Sequence, residues 1–154
     1  MASEALLKTK VEYSFHSSSY LPTGNNDLSS GTPTTVDLSL SSIADGAAKN
    51  SDQVDLGAIR PTWFDVYAAL EWFAAVSAGG TVDFYWSGSA NSAVAAGNPG
   101  HPDGVDGAYT GDGCGTVAQS VLQMESIGSF VTTSLQGVQI AKVGRLCYPD
   151  QYEQ

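Results

Sequence analysis

The sequence predicts an all-β chain: an antiparallel β-sandwich or jelly roll with an extended N-terminal arm and one long Gly/Asp-rich loop. Three observations carry this expectation. Several runs alternate apolar and polar residues with a period of two, the signature of half-buried strands. Clusters of Gly, Asn, Asp, Ser and Pro separate those runs, as turns do. No long stretch shows the 3.6-residue apolar period of an amphipathic helix. With 154 residues and 42% apolar content, residues 1–154 fit a single domain with material for a core.

VEYSF, residues 11–15, alternates and reads as a short strand. Residues 16–33 are rich in Ser, Gly, Asn and Pro and lack periodicity, so they read as a loop or an extended arm. TVDLSL, residues 35–40, sets Val36, Leu38 and Leu40 on one face. Residues 41–51 read as turns, and DQVDLGAI, residues 52–59, as another strand. WFDVYAALEWFAAV, residues 63–76, is apolar at every even position from Phe64 to Val76 and mixed at the odd ones. Ala, Leu and Glu would also suit a helix. The two-residue period and the aromatics favour a strand.

SAGG then supplies a turn into GTVDFYWSGS, where Val82, Phe84 and Trp86 share a face. The two runs are expected to form a hairpin. Residues 88–115 form a long loop containing HPDGVDGAYTGDGCG. TVAQSVLQM (116–124), ESIGSFVTTS (125–134) and GVQIAKVGRL (137–146) read as three further strands. In the last, Val138 and Ile140 are out of phase with Ala141 and Val143, which signals a bulge.

Charge narrows the function. Sixteen acids face six bases, a net charge of −10, with no basic cluster. Nucleic-acid binding depends on phosphate neutralisation by Lys and Arg, so it is not expected, and neither is docking on anionic lipid. Charged residues are only 14% of the chain, against about 25% in ordinary soluble domains. A weakly charged, hydroxyl-rich surface suits a protein packed against other proteins or one that lives outside the cell. MASEALLKTKVEYSF has no apolar core of a signal peptide, and no run is long enough to span a membrane.

No catalytic constellation or cofactor site is expected. There is no nucleophile elbow and no phosphate-binding glycine loop. His101, Asp103 and Cys114 can be drawn together, but they share a loop without a scaffold. Asp65 and Glu71 lie on one strand face about 20 Å apart, too far for one site, though Asp83 could approach one of them. Cys114 and Cys147 lack any paired zinc spacing and are read as free thiols, with a single disulfide as the alternative. Asp103, Asp106 and Asp112 each precede a glycine and are read as successive tight turns; calcium binding through them is the alternative. Aromatics outside a core favour protein contacts. Tyr20, Trp63, Tyr67, Tyr109 and Tyr148 are therefore the candidate interface residues.

The run WFDVYAALEWFAAVSAGGTVDFYWSGSANS, the Gly/Asp/Tyr loop and SIGSFVTTSLQGVQIAKVGRL together resemble small tailed-bacteriophage virion structural proteins of β-sandwich type. The resemblance covers roughly residues 55–146 and rests on loose patterns. It implies a non-enzymatic capsid decoration or cement protein that binds the major capsid protein on the outside of a phage head. A trimer is the expected homo-oligomer, and the expected location is the virion, assembled in the host cytoplasm. A neck or tail component is the close variant, and a carbohydrate- or receptor-binding module the alternative. One departure stands out: the family pattern continues into a further strand where this sequence reads CYPDQYEQ.

Overall fold

A computed structural model of the protein describes residues 11–17, 28, 31–41, 43–56, 62–72, 74–88, 98–111, 113 and 115–147. Eight strands and one short helix follow in chain order: β1 (Tyr13–His16), β2 (Thr34–Asp37), β3 (Ala48–Asn50), β4 (Trp63–Trp72), β5 (Thr81–Trp86), β6 (Gly107–Tyr109), α1 (Val117–Ser120), β7 (Glu125–Val131) and β8 (Gly137–Cys147). The all-β expectation holds at that level. The strands pair in twos as β1–β2, β3–β6, β4–β8 and β5–β7. Three pairs are antiparallel, while β1–β2 is parallel and so departs from the antiparallel expectation. Most of the proposed arm at 16–33 lies outside the described residues.

Periodicity identified the faces of the two central strands. Along β4 the even positions turn inward and Trp63, Asp65, Tyr67 and Glu71 are exposed. Along β5, Val82, Phe84 and Trp86 are half-buried and the alternate residues exposed. It did not identify their partners. The expected β4–β5 hairpin is not formed: β4 pairs with β8 from Trp63↔Cys147 to Trp72↔Gly137. β5 pairs with β7 from Thr81↔Val131 to Trp86↔Glu125. The SAGG turn is instead tied to Thr132 just beyond β7. Gly79 N–H donates to the Thr132 carbonyl (2.9 Å), Thr132 N–H to the Gly80 carbonyl (2.8 Å) and the Thr132 hydroxyl to the Ser77 carbonyl (2.7 Å). Either pairing would bury the same alternating face, so the period alone could not choose.

Two other segments differ from expectation. Residues 116–124 form α1 and a 3-10 turn (Val121–Gln123) rather than a strand. A capping box decides this: Gln119 N–H donates to Thr116 Oγ1 (3.3 Å) and Thr116 N–H to Gln119 Oε1 (3.0 Å). Residues 51–56 are not a strand; the strand falls earlier, at β3, where turns were expected, and it pairs with β6 inside the long loop.

β8 does carry a bulge, but at Val143 and not at the Ile140/Ala141 phase break that suggested one. Between Val66↔Gly144 and Tyr67↔Lys142, Val143 has no partner on β4. A matching irregularity lies in β7, where Ile127 has no partner between Phe84↔Gly128 and Tyr85↔Ser126. The two bulges meet. A Cβ on Gly144 would overlap the Ile127 carbonyl, and one on Gly128 would overlap the Val143 carbonyl. β7 and β8 thus cross backbone to backbone, joining the two ribbons through glycine. The buried apolar residues are few among those described: Ala68, Phe130 and Leu146 on the two ribbons, Val36 on β2 and Tyr109 on β6.

Gly144→Ala and Gly128→Ala should each cost about 2–3 kcal/mol by overpacking. Gly107→Ala, which has room for a methyl group, should cost clearly less. Because both glycines serve one contact, the double variant should lose less than the sum of the singles. Urea unfolding of the wild type and the four variants measures this.

Candidate interaction face

The outer face of the β4–β8 ribbon carries an ordered row of aromatic and charged side chains. The β8 bulge makes this possible. On a regular strand, residues three apart point to opposite faces. The extra residue Val143 restores the phase, so Lys142 and Arg145 both point outward, opposite Tyr67 and Asp65. Asp65 Oδ1 accepts from Lys142 Nζ and from Arg145 Nε, each at 2.8 Å. The Arg145 guanidinium lies 5.2 Å from the Trp63 ring centre, and Lys142 Nζ lies 5.8 Å from that of Tyr67. The row therefore runs Trp63, Arg145, Asp65, Lys142, Tyr67, with each cation shared between a ring and the carboxylate.

These groups are open to solvent. Trp63 is 51% and Tyr67 56% exposed, and the neighbouring Ile140 is 48% exposed. The hydrogen bond from Arg145, followed by that from Lys142, holds the Asp65 carboxyl down to about 2, and the same Asp65 contact raises Arg145. Cys147 closes the row beside Trp63 as an exposed free thiol. Trp, Tyr and Arg are the residue types that dominate binding energy at protein interfaces.

The other candidate residues fall elsewhere. Tyr109 is buried and not a surface contact: its hydroxyl donates to the Gly100 carbonyl. Gly100, at φ +73°, lies so close to the Ser120 carbonyl and Met124 that a side chain would collide with both. This pins the second half of the long loop to the helical turn. Asp106 Oδ1 accepts from Ser39 N–H (2.6 Å), and Asp103 Oδ1 from Val105 N–H (3.1 Å) and from Asn50 Nδ2. Asp52 Oδ1 accepts from Asp106 N–H (2.7 Å), joining the loop to the segment after β3. These carboxylates organise turns. Among the described residues no group of three or more His, Cys, Asp or Glu side chains is arranged to hold a metal ion. Tyr20, Tyr148, Asp112 and Cys114 lie outside the described residues. Asp83 accepts from Ser129 Oγ (2.6 Å), its cross-strand partner within the β5–β7 ribbon.

Sequence reasoning found Trp63 and Tyr67 but not the charged residues between them. The sequence phase break lies at Ile140/Ala141, whereas the bulge that brings Arg145 onto the face of Lys142 lies at Val143. Comparison of the chain with known protein families, with curated proteins and with solved structures finds no match.

The Asp65 contacts have a defined pH signature. A carboxyl depressed from 3.8 to about 2 contributes stability that is fully present above its unfolded pKa and is lost as pH falls toward 2. The stability difference between the wild type and Asp65→Asn should hold constant down to about pH 5 and close progressively by pH 2. Denaturation midpoints across that range measure it.

Proposed function

We propose that the protein is a non-enzymatic virion structural protein of the capsid-decoration kind, whose partners are the major capsid protein and further copies of itself. One observation carries this reading: Trp63, Tyr67 and Arg145 stand exposed in one row on one face of the β4–β8 ribbon. Groups of this kind are normally covered by a protein partner. Thin packing adds support. Two-stranded ribbons are marginal by themselves, and only a small apolar set is buried among the described residues. A fold so built gains most when neighbours cover its faces, as they do in a shell.

The strand order also suits the sandwich or jelly-roll architecture that the resemblance implies. The β4–β8 pair encloses the β5–β7 pair, with β6 between them in sequence. Nested antiparallel pairing of this sort is how a folded-over ribbon rolls into two sheets. The acid-rich composition favours a protein partner over nucleic acid.

A second reading has its own observation: Trp63 and Tyr67 are four residues apart on one strand face, about 13 Å, and could stack two sugar rings of a glycan. Arg145 and Lys142 already sit against these rings, which favours the protein partner.

Purified phage particles should contain the chain in an amount comparable with the main shell protein, measured by quantitative mass spectrometry. Particles stripped of it should rupture at a lower temperature, and adding the protein back should restore them. Absence from particles overturns the reading. Glycan binding that is lost in Trp63→Ala would replace it with the second.

A further inference from the structure

We infer that Asp45, which precedes Gly46 in an exposed turn, is a site of spontaneous covalent modification where the backbone rearranges to isoaspartate. The folded structure protects the Asp-Gly pairs at Asp103 and Asp106 from the same reaction. The inference goes beyond the assembly reading and does not rest on it.

An aspartate followed by glycine carries its own electrophile and nucleophile. The backbone nitrogen of the glycine attacks Cγ of the aspartate. A Cγ–N bond forms, and the carboxyl hydroxyl leaves as water with the proton of the amide. The product is a five-membered succinimide, which water then opens at either carbonyl. Breaking the new Cγ–N bond restores aspartate. Breaking the original peptide C–N bond leaves the chain running through Cβ and Cγ, one backbone atom longer, with the former main-chain carbonyl now a free carboxylate. The sum is an isomerisation that needs no oxidant, reductant or co-reactant beyond water. Glycine favours it because no Cβ crowds the nitrogen or restricts the rotation that closes the ring.

The sequence has four such pairs, beginning at Asp45, Asp103, Asp106 and Asp112. Asp112 lies outside the described residues, so three can be compared. Two have their carboxylates engaged. Asp103 Oδ1 accepts from Val105 N–H at 3.1 Å and from Asn50 Nδ2, and Asp106 Oδ1 accepts from Ser39 N–H at 2.6 Å. Gly107 is also held in β6, opposite Asn50 of β3. A charge-assisted hydrogen bond that must break before the ring can close slows the step by about tenfold. Asp45 has no such restraint. Asp45, Gly46 and Ala47 are all exposed, and among the described residues no hydrogen bond reaches the Asp45 carboxylate or the Gly46 N–H. A Cβ on Gly46 would meet nothing within 4 Å, so there is room for the ring. The turn is closed by Ala47 N–H donating to the Ala44 carbonyl at 3.1 Å, with Gly46 at φ +73°. The extra backbone atom of isoaspartate falls inside that closed turn, directly before β3.

Ageing the full chain for several weeks in mildly acidic buffer at body temperature, followed by peptide mapping in a mass spectrometer, tests this. Isoaspartate has the mass of aspartate and is read from fragment ions specific to the longer backbone; the succinimide is read as the loss of one water. In the folded chain, isoaspartate at residue 45 should exceed that at 103 or 106 by about tenfold or more. The same chain aged in concentrated urea should isomerise at similar rates at all three positions, since the protecting contacts are gone and each aspartate still precedes glycine. Asp45→Glu keeps the charge but would have to close a less favoured six-membered ring. It should remove the signal at residue 45 and leave 103 and 106 as they were. The inference is overturned by a folded chain that forms no isoaspartate at residue 45, or that forms as much at 103 or 106. A preference for residue 45 that persists in urea also overturns it, because the fold would then not be its cause.

Discussion

The contact on which the rest of this structure depends is the crossing of β7 and β8 at their paired bulges. Carbonyl oxygens of Ile127 and Val143 occupy the space where side chains of Gly144 and Gly128 would otherwise stand. Two ribbons that share few buried side chains are thereby fixed at a distance set by backbone atoms alone. A conventional pair of packed sheets keeps about 10 Å between them and fills the gap with side chains. Here the gap is closed at one point, and the apolar residues Ala68, Phe130 and Leu146 are buried around it. Loss of the bulges would open the gap at a site where no large side chain stands ready to fill it.

The same extra residue organises the exterior. Without Val143, one of Lys142 and Arg145 would point inward and Asp65 would have a single cationic neighbour. With it, one carboxylate accepts from both, and both cations reach an aromatic ring. Salt bridges this exposed contribute little to folding. Their effect is on position: they hold long, mobile side chains against rings, so less side-chain entropy remains to be lost when a partner arrives. An acidic protein thereby presents two cations, each held against an aromatic ring, at defined positions on this face.

What could be read from the sequence was local. The faces of β4 and β5 and the strand at β7 follow from period-two patterns, and the structure has each of them; the bulge expected in β8 is there too, but at Val143 and not at the phase break. Pairing was not legible, because alternation in WFDVYAAL and TVDFYW is satisfied by any partner that buries the even residues. The helical turn at 116–124 was missed because its capping box, Thr116 with Gln119, is a two-residue signal inside a run that also alternates. In the candidate site, exposed Trp63 and Tyr67 could be selected as aromatics on a mixed face. Tyr109 has the same composition signal yet is buried, since its fate depends on Gly100 reaching it across the loop. The Arg145–Asp65–Lys142 grouping needed both the partner of β4 and the bulge, and so was out of reach.

The nested pairing also governs when the chain can fold. Trp63 must find Cys147, 84 positions later, and even the near end of the ribbon joins Trp72 to Gly137. Contacts so distant in sequence make folding slow. During synthesis, β4 leaves the ribosome long before its partner exists, exposing a strand rich in Trp, Phe, Tyr and Leu. Asp65 and Glu71 interrupt that apolar run with negative charge, as gatekeeper residues do in aggregation-prone strands. Asp65 thus has two successive duties, first as a repulsive charge in the growing chain and later as the anchor of two cations in the finished one.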